Sequence, residues 1–177
     1  HYLISLKLTN IITEMKMMLN EVAGQNKQIV LVFGRLCSGK GTFCEPYVKQ
    51  GYTHITTSDI VKKVSGAKSR SDLQKTNDMD QLIADEMINT IKQQQPIVVD
   101  GIRQNSIIDR VLSEFGEDNV ELIWLDAPAD VRRQRFANRG ASKDDRSFDD
   151  AEAGDSKLGL DDVESKFKPR SRLVKHY

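Results

Sequence analysis

Five consecutive apolar residues, Ile29 to Phe33, run directly into Gly34-Arg35-Leu36-Cys37-Ser38-Gly39-Lys40-Gly41-Thr42. An unbroken apolar run of this kind reads as a strand buried on both faces, as found inside a parallel sheet. The glycines that follow let backbone N–H groups turn inward toward phosphate oxygens with no Cβ in the way. A helix starting at Lys40 would aim its N-terminus at the same anion. Lys40 adds a mobile positive charge to that cradle.

Gly34, four residues, Gly39 and Lys40 have the Walker A spacing. The lysine is followed by Gly41, and the hydroxyl comes one position later, at Thr42. This GKGT ending resembles adenylate kinase and related small P-loop kinases. The resemblance implies that Gly34, Cys37, Ser38, Gly39, Lys40, Gly41 and Thr42 bind the nucleotide phosphates. It also implies that Mg²⁺ is held near Thr42, largely through waters and an acidic side chain elsewhere.

A chain of 177 residues fits one domain with its own core. Its 26 basic and 26 acidic side chains cancel, so nothing global demands nucleic acid or a membrane. No apolar stretch is long enough to span a bilayer, and no secretory signal is evident. The two cysteines, Cys37 and Cys44, lie in the loop and in the helix after it. A disulfide between them would distort the loop, so reduced thiols in a cytoplasm are expected, the host's cytoplasm if the chain is of phage origin. The histidines, at 1, 54 and 176, make no metal-ligand spacing with the cysteines. His54, in a short strand, reads as structural.

Ahead of the loop, Ile4, Leu8, Ile11, Met15, Met18, Leu19 and Val22 fall at helical spacing. Residues 1–26 are therefore expected to form an amphipathic helix that covers core or pairs two subunits, with the phosphate-binding domain spanning 27–177. Pro46 predicts a kink or early stop in the helix from Lys40. Residues 52–57 read as a strand, and Ser58 and Asp59 as a helix start. Asp59, just past a strand end, either caps that helix or orients and deprotonates an acceptor hydroxyl. The polar, basic stretch at about 59–76, with Lys62 and Arg70, is expected to hold the acceptor. A helix is predicted from about 78 to 94.

Ile97 to Asp100 is a second buried strand, ending in an aspartate that resembles a Walker B element and would hold Mg²⁺. Asp100-Gly101-Ile102-Arg103 resembles the DGFPR segment of adenylate kinases and the DGIR segment of archaeal proteins related to dephospho-coenzyme A kinase. That likeness implies that Arg103 reaches phosphate. Ile107 to Phe115 predicts a helix closed by Gly116, and Val120 to Leu125 another strand. Beyond Pro128, Arg132, Arg135 and Arg139 share one helical face, while Arg133 points elsewhere. Three guanidiniums on one face repel one another unless anions lie between them. This suits the LID helix of a P-loop kinase, placed at about 128–160, with the three arginines catalytic. The Asp-rich segment 144–162 is expected to be a mobile lid or partly disordered, its acids quenching the arginines. The basic stretch 166–175 is expected to be a solvated tail, with a last strand placed at 172–177.

Alternating strands and helices argue a three-layer α/β/α P-loop kinase fold with a mainly parallel sheet. The expected activity is transfer of the γ-phosphoryl of ATP, as its Mg²⁺ complex, to a nucleotide-type acceptor. Lys40 and Asp59 would act in catalysis with the arginines. Asp59, Lys62, Arg70 and Arg103 would hold the acceptor, and Asp100 and Thr42 the metal. The acceptor stays open between a nucleoside monophosphate and a hydroxymethylated base in DNA, since phage kinases of 5-hydroxymethyluracil look similar in layout. A third reading is a nucleotide-binding switch that acts through a partner.

Overall fold

In the computed structural model, residues 27–66, 79–139 and 146–175 are described. The expected N-terminal helix and its dimer, Arg70 with most of the acceptor stretch, and residues 140–145 lie outside them. Five strands form one sheet: β1 (Ile29–Phe33), β2 (Thr53–Thr56), β3 (Ile97–Asp100), β4 (Val120–Asp126) and β5 (Arg172–Lys175). Their order is β2-β3-β1-β4-β5, and every neighbouring pair is parallel.

The apolar run of β1 is the centre of this sheet, with all five residues buried. Side chains alternate across a strand, so Ile29, Leu31 and Phe33 enter one core while Val30 and Val32 enter the other. The larger core is closed by α3 (Asp80–Gln93), α4 (Asn105–Phe115) and α7 (Leu160–Phe167), through Met87, Ile91, Ile107, Val111, Val163 and Phe167. The smaller is closed by α1 (Lys40–Lys49), through Cys44, with Phe43 and Tyr47 alongside. The remaining helices, α2 (Thr57–Ser65), α5 (Ala129–Asn138) and α6 (Phe148–Lys157), each contribute side chains to one crevice, through Thr57 and Ser58, Arg135 and Asp155. The connection out of β1 leads toward β2 and that out of β3 leads to β4, on the other side of β1. In an open α/β sheet such a reversal leaves a crevice at the carboxyl ends of the strands.

Three expectations change. Helix α1 continues through Pro46 to Lys49. The proline forfeits one backbone bond, but Cys44 and Tyr47 on either side of it pack onto the sheet and hold the helix in place. Residues 148–167 are two packed helices, with Ser147 capping α6 through the Asp150 N–H at 3.1 Å. Few apolar residues suffice there because Leu160, Val163 and Phe167 repeat at helical spacing and are all buried. The basic tail is α7, a short 3-10 turn and β5, its charges matched: Lys166 to Asp109, Lys168 to Asp126, Arg170 to Glu117 and Arg172 to Glu121.

Candidate functional site

Gly34 leaves β1 with φ 148°. A Cβ there would lie 2.5 Å from Ser38 Oγ and 2.7 Å from the Leu125 carbonyl, so a side chain would displace the loop. Gly39, at φ 94°, is the N-cap of α1, and no side chain caps that helix. The first amides of α1 are therefore aimed at whatever anion sits in the crevice. Lys40 Nζ bends over the loop and donates to the carbonyls of Gly34 at 2.8 Å and Arg35 at 3.1 Å. Burial, and then the nearby Arg103 guanidinium, lower its pKa to about 8.

Opposite the loop stand the ends of β2 and β3. Asp100 is buried, and His54 Nε2 lies 2.8 Å from its Oδ2. That bond raises the histidine pKa against the opposing effect of burial. Thr57 Oγ1 donates to the Asp100 carbonyl at 3.1 Å and ties the two strand ends together. Arg103 turns back, with Nη1 donating to the Gly101 carbonyl at 3.1 Å and Nε paired to Asp155 of α6 at 2.7 Å.

The arginine helix α5 does meet the loop. Arg135 Nη1 donates to the Cys37 carbonyl at 3.3 Å, and Arg139 Nη1 lies 3.4 Å from Cys37 Sγ. Arg132 differs from the expected role. It is buried, pairs with Glu152 at 2.5 Å and donates to the Leu36 carbonyl at 3.3 Å, so it braces the loop from behind and does not line the crevice. Arg133 points outward to Asp149. Asp59 likewise serves its helix: Thr56 Oγ1, the cap of α2, accepts from Asp59 N at 3.2 Å and donates to Asp59 Oδ2 at 2.7 Å. Neither Asp59 nor Lys62 lines the crevice.

The crevice encloses about 740 Å³. Lys40, Arg103, Arg135, Arg139 and Arg146 line it, against Asp100 and Asp155. A cavity this cationic, floored by unpaired helix amides, suits a polyanion the size of a nucleotide triphosphate.

A family model described as an AAA domain matches residues 30–156. An adenylate kinase of Bacteroides thetaiotaomicron is 32% identical over 140 residues, 70% of this chain and 72% of that protein. The chain belongs to the P-loop nucleotide kinase family. A UPF0200 protein of Thermococcus kodakarensis is 26% identical over 73% of this kinase and 77% of its own length. The crystal structure of a gluconokinase from Sinorhizobium meliloti superposes with a TM-score of 0.54 at 15% identity, over 86% of this chain and 85% of the other, a likeness in fold.

Three ionisable residues of the kinase's crevice are absent from the sequence-based site: His54, Asp155 and Arg146. His54 does carry a usable signal, since it stands two residues before the end of β2 and the adjacent strand ends in Asp100. Asp155 has none, because only the packing of α6 brings it to Arg103.

The Lys40 shift predicts how the kinase's nucleotide affinity depends on pH. Its folded pKa, about 8, lies below the ordinary 10.5. Between those values the unfolded chain holds a proton that the folded chain lacks, so this group's contribution to stability increases as pH rises. Triphosphate affinity moves the opposite way, since only the ammonium attracts phosphate. Calorimetric titration with a non-hydrolysable ATP analogue should show Kd constant below pH 8, then climbing by up to about tenfold per pH unit. A flat profile, or the same profile in Lys40→Met, would refute the assignment.

Proposed function

We propose that this kinase transfers the γ-phosphoryl group of ATP to a nucleotide-type acceptor of the nucleoside monophosphate class. The observation that carries the reading is the convergence of Lys40, Arg103, Arg135 and Arg139 on one crevice at the carboxyl ends of β1 and β3. The loop amides and Lys40 hold the β- and γ-phosphate oxygens. Arg135 and Arg139, already against the loop at Cys37, lie where negative charge spreads over the transferring group. Arg103, fixed by Asp155, meets the acceptor phosphate from the opposite wall. A monophosphate presents its own anionic oxygen as nucleophile, so no base is needed and positioning with charge neutralisation suffices.

The donor set fits a magnesium ion. Asp100 and Thr42 both line the crevice beside the loop, and oxygen ligands suit a hard cation that keeps most of its waters. Bound there, Mg²⁺ supplies neutralisation of charge on the phosphate oxygens. The adenylate kinase of Bacteroides thetaiotaomicron supports a free nucleotide over a base in DNA as the acceptor.

The test is a panel of nucleoside monophosphates, small polyols and hydroxymethylated DNA, offered with labelled ATP. Label should enter a monophosphate. Arg103→Ala should raise the KM for that acceptor by roughly ten- to a hundredfold, the worth of a charge-assisted hydrogen bond, with the KM for ATP little changed. Label in a polyol or in DNA alone would overturn the reading.

A further inference from the structure

One group in the crevice is not explained by phosphate binding. Cys44 Sγ, a nitrogen of the His54 ring and a carboxylate oxygen of Asp100 all lie within 4.8 Å of one another. The sheet explains why. His54 is paired in register with Val98, two residues before Asp100, so both side chains emerge on the same face of adjacent parallel strands. Cys44 is one turn into α1, the helix that covers that face, and its thiol is fully buried there. His54 and Asp100 line the crevice, whereas Cys44 lies behind them, buried under α1.

We propose that Cys44, His54 and Asp100 form a binding site for a borderline divalent cation of the zinc type, distinct in ligand chemistry from the magnesium site that shares Asp100. Sulfur, imidazole nitrogen and carboxylate oxygen are the donors zinc takes, with three protein ligands and a fourth position left open. Zinc bond lengths place tetrahedral ligand atoms about 3.4–3.8 Å apart. The 2.8 Å between His54 and Asp100 lies below that spacing and no pair exceeds 4.8 Å, so side-chain shifts of about 1 Å bring the three atoms into a tetrahedral shell. Magnesium has no use for the thiol or the imidazole. Metal binding displaces the thiol proton, and the thiolate and carboxylate then balance both charges of the ion, so the neighbouring Lys40 ammonium faces a neutral centre. The fourth position opens on the crevice, where a water or a phosphate oxygen completes the shell.

The test needs no nucleotide and no turnover. The reduced 177-residue chain is titrated with Co²⁺, reading thiolate-to-cobalt charge transfer in the near ultraviolet, and Zn²⁺ affinity is measured against a chromophoric chelator. One equivalent of Co²⁺ should give the charge-transfer band with tetrahedral visible absorption. The band should persist in Cys37→Ser and vanish in Cys44→Ser. Because Cys44 is buried, His54→Gln provides a second arm: it should weaken zinc by at least about tenfold while circular dichroism shows an intact fold. A wild-type chain without the band, a band that survives Cys44→Ser, or a zinc affinity unchanged in folded His54→Gln would each overturn the site. Loss of kinase activity plays no part, so this outcome and that of the acceptor panel are independent.

Discussion

Lys40→Ala is expected to lower kcat by at least about a hundredfold, the usual cost of removing one preorganised charge or donor from a transition state, while the fold persists. The ammonium donates to the loop's own carbonyls, at 2.8 Å from Gly34 and 3.1 Å from Arg35. The stability side of the prediction is unusual. Burial depresses this pKa to about 8, so at neutral pH the folded state holds the ammonium less favourably than the unfolded chain does. Removing the side chain should leave the melting temperature unchanged or higher at neutral pH. Phosphoryl transfer and thermal melts on the same preparation check both halves. A folded variant within tenfold of wild-type kcat would remove Lys40 from the mechanism.

Phe167→Ala is expected to cost about 3–5 kcal/mol, the range for emptying a buried aromatic site. Its side chain is fully buried, and its ring stacks on Phe33 with centroids 6.3 Å apart. Lys166 and Arg170 add their cations above the same ring. For a chain of this size the loss corresponds to a fall in melting temperature of roughly 10 °C. Urea unfolding provides the comparison. A change below about 1 kcal/mol would mean that α7 contributes no core.

Much of the site could be read directly because its parts are local. The strand into Gly34, the loop to Thr42 and the short strand ending at Asp100 each need only a few neighbouring residues to be recognised, and all three stand where expected. The arginine face of α5 was visible as spacing, and Arg135 and Arg139 do reach the loop. Arg132 on that same face does not, because Glu152 on a later helix captures it. Spacing orders side chains around one helix but does not say what the next helix presents to them.

The residue order by itself determined that a buried parallel strand runs into a glycine loop with a lysine in reach of anions. Those are short-range consequences of side-chain size, glycine's freedom in φ and hydrophobic period. The last strand expected at 172–177 does form, over Arg172–Lys175, but only the tertiary structure decided that His54 and Cys44 meet Asp100, that Asp155 holds Arg103, and that the acidic stretch after 144 folds into two packed helices. These depend on which strand lies beside which and on which helix covers which face. That choice is made by burying apolar area across the whole chain, and no window of neighbouring residues contains it.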